Sequence, residues 1–349
     1  MNKLYFYTAC FFAAVLITGC ASAKIRLDKE ALNEFSEIIV ENPENGGPDK
    51  LKKLINDPDV ISGIKAYEDA EIKAEPLNKW PVKMPDGADA ASEKLSFKSG
   101  LRKSDGSRDT AVFYHYKSPL PGAEKAVLWV PGFSVSDFSF RFMKKSFESA
   151  LARGYDIFFY VIPFHLERTE PGRVPGEGLL YASAEGNIKI TRQAVREIRT
   201  ITRYIRREGI KKTGARCSSV GAAYVFLASC LEKFDHICFK IPMVDWEPLL
   251  ENSTINGIIE IRKENGFNEE LIKSAYELIS PINHSSLTPP ERMLIQYGEY
   301  DRFFPPGKIT EFAEKQGIEN IKAYKESHST IRLNDKVNED YAAFLDSLK

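Results

Sequence analysis

The 349-residue chain is poor in cysteine and histidine, with five of each, and its 48 Lys and Arg nearly balance 49 Asp and Glu. Five cysteines in a chain of this length exclude a scaffold built on disulfides. Five histidines leave few candidates for acid–base or metal chemistry. The formal net charge of -1 gives no overall attraction to nucleic acid or an acidic membrane surface. The 43% hydrophobic and 28% charged residues argue against a disordered, collagen-like or multi-span membrane protein.

What the chain does have at its start are the features of an export signal. Lys3 supplies positive charge, and residues 9–17 form an apolar run that is too short to span a membrane as a helix. The sequence Leu-Ile-Thr-Gly-Cys at 16–20 resembles the lipobox of bacterial lipoproteins, although Ile17 stands where that family usually has Leu. The resemblance implies a signal peptide over 1–19 and acylation of Cys20. A plain secretory signal and an uncleaved anchor are the alternatives.

The lipobox resemblance also implies where the protein works. Two or three acyl chains give stable membrane attachment, which a single chain does not. We therefore expect a protein that is anchored to a bacterial membrane in the cell envelope, on the periplasmic side of the outer membrane.

Residues 20–92 predict a helical appendage followed by a linker. Apolar residues recur at helical spacing between 24 and 74, and Pro and Gly interrupt the pattern at 42–48. Asp28 is the expected N-cap of the first helix. Several prolines at 75–92 predict a linker or a strap laid over the next domain. No catalytic constellation is present in this part.

From about residue 95, strand patterns alternate with helical patterns. Residues 95–97 and 110–116 resemble an antiparallel pair, and later strands are predicted at 126–130, 156–162, 237–244 and 293–297. Helical patterns cover 138–153, 190–207, 222–231 and 337–348. This alternation predicts an α/β fold with a mostly parallel sheet and helices on both faces. Residues 246–290 interrupt the rhythm and predict a small helical cap insertion.

The segment from Ala215 to Ala223 runs from a short strand into a helix of small residues. It resembles the nucleophile elbow of α/β-hydrolases, a Gly-x-Ser-x-Gly turn, with Ser219 as the nucleophile and Gly221 as the second glycine. The sharp turn requires small residues two positions before and after the nucleophile, and Cys217 occupies the first of these positions. The elbow aims the hydroxyl above the sheet and the helix N-terminus at the developing negative charge.

Residues 130–133, Val-Pro-Gly-Phe, end an early strand, where α/β-hydrolases carry their oxyanion loop. The resemblance implies that the backbone N–H groups of Phe133 and Val220 bind the oxyanion. Pro131 replaces the His that is usual in this loop.

Two later segments resemble the remaining parts of a catalytic triad. The loop at 297–306 matches the Gly-x-x-Asp-x-x-x-Pro pattern that carries the acid, here Asp301. His328 follows another short strand and is the implied general base. The chain order Ser219, Asp301, His328 is the α/β-hydrolase order and differs from those of the chymotrypsin and subtilisin types.

The resemblance covers residues 95–349 and implies an α/β-hydrolase domain over 93–349. The main hypothesis is a serine carboxylesterase that acts through an acyl-enzyme on a small-molecule, lipid or carbohydrate ester. A peptidase or acyltransferase of the same fold, and a non-catalytic envelope lipoprotein that uses the fold as a binding module, are the alternatives. We expect no cofactor, no metal and no nucleic-acid partner, because no metal-ligand or phosphate-binding spacing is present.

Other residues could take part in the chemistry. Cys217 could be the nucleophile if the register were shifted, and Asp245 follows a strand at a place where some of these enzymes carry the acid. His165 and Arg168 follow a strand end, where they could bind a polar part of the substrate or serve as structural hydrogen-bonding groups. Cys230 and Cys238 could pair, although their apolar surroundings favour buried free thiols.

Overall fold

The computed structural model describes residues 20–36, 47–83, 87, 89–120, 122, 124–133, 135–180, 183–250 and 268–348. The signal peptide predicted for residues 1–19 and the middle of the predicted cap insertion, residues 251–267, lie outside the described residues. Within the described ranges, no helix combines the length and the apolar character needed to cross a membrane.

The described residues form one nine-stranded sheet with the order β1-β2-β3-β5-β4-β6-β7-β8-β9. Three neighbouring pairs are antiparallel: β1–β2, β2–β3 and β3–β5. The other pairs are parallel: β5–β4, β4–β6, β6–β7, β7–β8 and β8–β9. Their bounds are β1 Lys73–Pro76, β2 Ser92–Arg102, β3 Arg108–Tyr116, β4 Lys125–Val130, β5 Tyr155–Val161, β6 Lys212–Ser219, β7 Ile237–Pro242, β8 Met293–Gly298 and β9 Ile321–Tyr324.

Helices cover both faces of this sheet. Their bounds are α1 Ala21–Ser36, α2 Gly47–Ile55, α3 Asp137–Leu151, α4 Ala184–Arg207, α5 Val220–Ser229, α6 Glu247–Leu250, α7 Glu269–Glu277, α8 Pro306–Gln316 and α9 Asp335–Ser347. Alternate side chains of each central strand enter opposite cores, because successive residues of a strand point to opposite faces. On β4, Leu128 and Val130 pack with α4 and α5, whereas Val127 and Trp129 pack with α3 and α9. The apolar runs in the sequence therefore reflect strands that are buried on both faces.

The N-terminal part differs from the prediction in three ways. Asp28 is not an N-cap, because it lies in the middle of α1. The predicted helical pattern is wrong after α2, since residues 58–63 form turns and Lys73–Pro76 form a strand. That strand begins a segment predicted as a linker, and it extends the sheet by pairing with β2. An edge strand tolerates Pro76 because its missing N–H can face away from the sheet.

Helix α4 is longer than its predicted span. It begins at Ala184 because the side chain of Ser183 caps it, accepting a hydrogen bond from the N–H of Gly186 at 3.1 Å. The described parts of the predicted cap insertion contain the helices α6 and α7.

The parallel strands bring distant loops to one edge of the sheet. Strands that run in the same direction have their carboxyl ends at the same edge. The loops that follow β4, β6, β8 and β9 therefore lie together, although they are up to about 200 residues apart in the sequence. Phe133 follows β4, Ser219 and Val220 lie at the end of β6, Asp301 follows β8 and His328 follows β9, so the predicted triad and oxyanion residues belong to these four segments.

Candidate active site

Ser219 lies where β6 ends and α5 begins. Its backbone has φ 51° and ψ −128°, a conformation that residues other than glycine rarely adopt. Such strain persists only where the surrounding structure holds the residue in place, and it is concentrated at functional sites. The local geometry is therefore that of a sharp strand-to-helix elbow with a serine at its tip.

Small residues allow the loop after β4 to pack on this elbow. A Cβ atom on Gly132 would lie 2.8 Å from the Cβ of Ser219, and one on Gly221 would collide with the carbonyl oxygen of Pro131. Cys217, which occupies the place of the usual first glycine, is buried in the core, where its thiol donates to the carbonyl oxygen of Cys238 at 3.6 Å. The elbow therefore accommodates Cys217, and its packing against the loop after β4 requires glycine at 132 and 221.

The same packing places residues 131–133 beside the first turn of α5. Val220 is the first residue of that helix, and the first N–H groups of a helix have no acceptor within it. The backbone N–H groups of Phe133 and Val220 belong to the two segments that an oxyanion hole at Ser219 would use. Their role as oxyanion donors stays a prediction.

The structure brings His328 into contact with both Ser219 and Asp301. The Nε2 atom of His328 lies 3.1 Å from Ser219 Oγ, and its Nδ1 atom lies 2.8 Å from Asp301 Oδ2. Because a carboxylate can only accept, Nδ1 donates to Asp301 and Nε2 is left to accept the serine proton. This tautomer is the one that a general base requires.

Asp301 is held in a fixed orientation. Its side chain is fully buried, and its Oδ1 atom accepts hydrogen bonds from the N–H groups of Phe303 at 2.8 Å and Phe304 at 2.9 Å. Its Oδ2 atom is thereby directed at His328. Hydrogen bonds to a carboxylate are about twice as strong as those between neutral groups, so the loop folds around this side chain.

Two aromatic side chains that the sequence did not mark as part of the site enclose the imidazole. The ring centroid of Phe303 lies 4.5 Å from that of His328, and the centroid of Phe304 lies 5.2 Å from it. Both phenylalanines are buried. They limit rotation of the imidazole and its contact with water. The available signal was a pair of large apolar residues in a loop that is otherwise rich in turn formers.

The two alternative catalytic residues have other surroundings. Asp245 faces Lys308, with 3.2 Å between Oδ2 and Nζ, and accepts a hydrogen bond from Ser280 at 3.2 Å. It lines a polar pocket of about 210 Å³ whose lining does not include Ser219. Burial raises the pKa of the Cys217 thiol well above its usual value, so the thiol stays protonated and is a poor nucleophile. These surroundings favour Asp301 and Ser219.

His165 and Arg168 are both fully buried. The Nδ1 atom of His165 donates to the carbonyl oxygen of Pro163 at 2.7 Å, and burial lowers the pKa of this imidazole to about 4. The guanidinium of Arg168 forms ion pairs with Asp109 at 2.6 Å and Glu197 at 2.7 Å. The sequence left substrate binding and structural hydrogen bonding open for His165 and Arg168, and these contacts favour the structural role for both.

Metal and disulfide chemistry have no candidate in the part of the chain that the structure describes. Across those residues, no group of three or more His, Cys, Asp or Glu side chains is placed to hold a metal ion. The four described cysteines are free thiols: Cys20, Cys217, Cys230 and Cys238.

Neither a protein-family model nor a curated relative matches this chain. Solved structures do match it. An acetyl xylan esterase from Paenibacillus sp. R4 aligns with a TM-score of 0.56 at 12% identity, covering 89% of this chain and 98% of that chain. An esterase from Pyrococcus furiosus aligns with a TM-score of 0.50 at 15% identity, covering 78% and 99%. At such identities the likeness shows the fold alone.

These likenesses, the mostly parallel sheet and the flanking helices define the fold class. The chain has the α/β-hydrolase fold, which confirms the prediction from the sequence. Many different activities occur on this fold, so the reaction has to be argued from the site.

Proposed function

We propose that the protein is a serine hydrolase that cleaves carboxylic esters, with Ser219 as nucleophile, His328 as general base and Asp301 as the acid that orients it. The observation that supports this most directly is the continuous hydrogen-bonded series from Ser219 Oγ through His328 to Asp301, with distances of 3.1 and 2.8 Å. The strained backbone of Ser219 is a second, independent observation.

In the proposed reaction, His328 Nε2 takes the proton of Ser219 as Oγ attacks the ester carbonyl carbon. Asp301 stabilises the imidazolium that forms. The N–H groups of Phe133 and Val220 bind the oxyanion, each contributing about 3 kcal/mol to transition-state stabilisation. The C–O bond to the alcohol then breaks, and the imidazolium protonates the leaving oxygen. Water, deprotonated by the same imidazole, attacks the acyl carbon; the bond from that carbon to Ser219 Oγ then breaks, the carboxylic acid leaves, and the imidazolium returns a proton to Oγ.

A fluorophosphonate probe tests the nucleophile directly, because it forms a covalent bond only with an activated serine. We expect labelling of the full-length chain that is lost in Ser219→Ala. Ser218→Ala is the matched control, since it removes the neighbouring hydroxyl and should keep the labelling. A folded wild-type protein that neither reacts with the probe nor hydrolyses p-nitrophenyl esters would contradict the proposal and favour the non-catalytic binding module.

The ester specificity requires a separate comparison. Hydrolysis of short p-nitrophenyl esters cleaves an ester bond, whereas hydrolysis of aminoacyl p-nitroanilides cleaves an amide bond. Both reactions release a coloured nitroaromatic product, so their rates can be compared by absorbance. Hydrolysis of the esters alone supports a carboxylesterase. Turnover of the anilides at a comparable kcat/KM would instead identify a peptidase, and transfer of the acyl group to an added alcohol would identify an acyltransferase.

We also propose that Cys20 carries a lipid anchor that holds the enzyme at the cell envelope, where the substrate would be an ester of a lipid or a carbohydrate. The exposure of Cys20 directly before α1 supports this. In bacterial cells, wild-type protein should incorporate an alkyne-labelled fatty acid and sediment with membranes, and Cys20→Ser should do neither. Cys230→Ser is the control, and equal acylation of Cys20→Ser and wild type would refute the anchor.

A further inference from the structure

The carboxylate of Asp28 lies against both loops that carry the acid and the base. Its Oδ2 atom accepts hydrogen bonds from the N–H of Arg302 at 3.1 Å and the N–H of His328 at 2.9 Å. Its Oδ1 atom accepts from the N–H of Ser329 at 3.0 Å. The side chain is completely buried, although it lies in the middle of the first described helix, α1. One carboxylate therefore joins α1, the residue after Asp301, and His328 itself.

The face of α1 that contains Asp28 is docked on the loop after β9. One turn earlier, Lys24 Nζ donates to the carbonyl oxygen of Lys325 at 2.7 Å and pairs with Glu326 Oε2 at 2.8 Å. Leu27 is buried beside Asp28. Residues three and four positions apart share one side of a helix, so this side of α1 is committed to the domain.

A buried carboxylate is costly unless hydrogen bonds replace its hydration. For Asp28 the replacement comes from three backbone N–H groups, which belong to two different loops. The full set of bonds forms only when the two loops take one particular separation. That separation also determines whether the imidazole can contact Asp301 and Ser219 at the same time.

We propose that Asp28 is a positioning residue of the active site, whose carboxylate sets the spacing between the loop of Asp301 and the loop of His328. The inference rests on the catalytic roles proposed above for those two residues. It connects α1 to the active site through the single side chain of Asp28, although the sequence predicted an appendage. Asp28 is eight residues after Cys20. Because a helix rises about 1.5 Å per residue, a lipid on Cys20 would hold the site within about 12 Å of its attachment point along the helix axis.

The variant Asp28→Asn tests this spacing at nearly constant volume. The amide keeps one acceptor oxygen, but its NH₂ group cannot accept, so at least one of the three N–H groups loses its partner. A misplacement of about 1 Å between reacting groups costs about 10²-fold in rate. We expect kcat to fall about 10²-fold with KM within about two-fold. We also expect the downfield NMR resonance of the proton between His328 and Asp301 to shift or broaden.

Lys24→Met is the matched control, because it breaks the ion pair between α1 and the loop after β9. It leaves the bridge, the three hydrogen bonds that Asp28 accepts from Arg302, His328 and Ser329, in place. It should keep the wild-type kcat and the downfield resonance. A folded Asp28→Asn protein with unchanged kcat and resonance would overturn the proposal. An equal loss of kcat in both variants would also overturn it, because general docking of α1 would then explain the effect.

Hydrogen exchange of the wild-type protein tests the three hydrogen bonds to Asp28 even if Asp28→Asn fails to fold. The amides of Arg302, His328 and Ser329 should be protected to the same degree as the amides within α1. Exchange at the rate of free loop amides would overturn the bridge. This measurement does not depend on catalysis, so a wild-type protein that lacks esterase activity but shows the protection would refute the proposed function and keep the bridge.

Discussion

The contact between Gly132 and the elbow predicts the effect of adding a single methyl group. A Cβ atom on Gly132 would lie 2.8 Å from the Cβ of Ser219, about 0.6 Å short of the 3.4 Å at which ordinary van der Waals contact begins. It would also lie 3.3 Å from the carbonyl oxygen of Ser218. The Cβ of Ser219 is attached directly to a strained backbone and cannot rotate away. In Gly132→Ala, either the loop at 131–133 or the serine must therefore move by about 0.6 Å.

Either movement separates Ser219, the proposed nucleophile, from the backbone N–H of Phe133, the proposed oxyanion donor in the loop at 131–133. Since about 1 Å of misplacement costs about 10²-fold, 0.6 Å should cost about ten-fold in kcat, or about 1.4 kcal/mol of activation free energy. The crowding should also lower the free energy of unfolding by about 1–3 kcal/mol. The assay is the steady-state hydrolysis of p-nitrophenyl acetate, together with urea unfolding.

Gly307→Ala is the matched control for this prediction. Gly307 lies in the first turn of α8, and a Cβ there would have no atom within 4 Å. The control adds the same methyl group, and it should raise stability by about 0.4–1 kcal/mol through the unfolded state and leave kcat unchanged. Wild-type kcat in Gly132→Ala would refute the reasoning, because the loop and the elbow would then not be in the contact described.

Three further predictions follow from side chains around the site. Asp301→Asn should lower kcat by about 10⁴-fold, whereas Asp245→Asn should change it by less than a few fold; the reverse result would move the acid to Asp245. Arg168→Met should lower the free energy of unfolding by about 3–5 kcal/mol because two buried carboxylates lose their partner, and an increase in KM at normal stability would instead identify a substrate-binding residue. Burial lowers the pKa of His236 to about 3 and that of His165 to about 4, below the ordinary 6.5, so both are neutral in the folded protein. The contribution of these two neutral imidazoles to the free energy of unfolding is complete above pH 6.5. It is lost as the pH falls toward the two lowered pKa values, because the unfolded chain then binds protons that the folded protein does not, by up to about 1.4 kcal/mol per pH unit for each residue. Urea unfolding at a series of pH values should show this loss, with a smaller slope in His236→Leu; a flat profile between pH 6.5 and 4 would contradict it.

Much of the fold could be read from local patterns. Continuous apolar runs marked strands that are buried on both faces, and helical spacing marked the helices between them. The elbow was readable because a sharp turn tolerates only small side chains near its tip, which is a constraint on neighbouring residues. The start of α4 was missed because its cap, Ser183, precedes the part of the helix with clear periodicity. Strand β1 was missed because its four residues are exposed and gain their hydrogen bonds from β2 alone.

The part of the site that depends on contacts between distant segments was harder to predict from the sequence. Asp28 was interpreted as a helix cap, since Asp is common at caps and nothing nearby in the sequence indicates three N–H donors around residues 302–329. Its position beside Leu27 on the apolar side of α1 was the one available signal of burial. The sequence similarly showed that Phe303 and Phe304 are apolar, but not that their rings pack against the imidazole of His328.

The sequence by itself therefore determined the class of the fold, the chain order of the three candidate catalytic residues and the identity of the elbow serine, because each depends on neighbouring residues. Only the tertiary structure decided that Ser219, Asp301 and His328 form a hydrogen-bonded series, and that Asp28 of the N-terminal helix contacts the loops of Asp301 and His328. The physical reason is that β4, β6, β8 and β9 run in the same direction, so their carboxyl ends lie at one edge of the sheet. The packing of α1 against that edge adds a buried charge whose partners are far away in the chain.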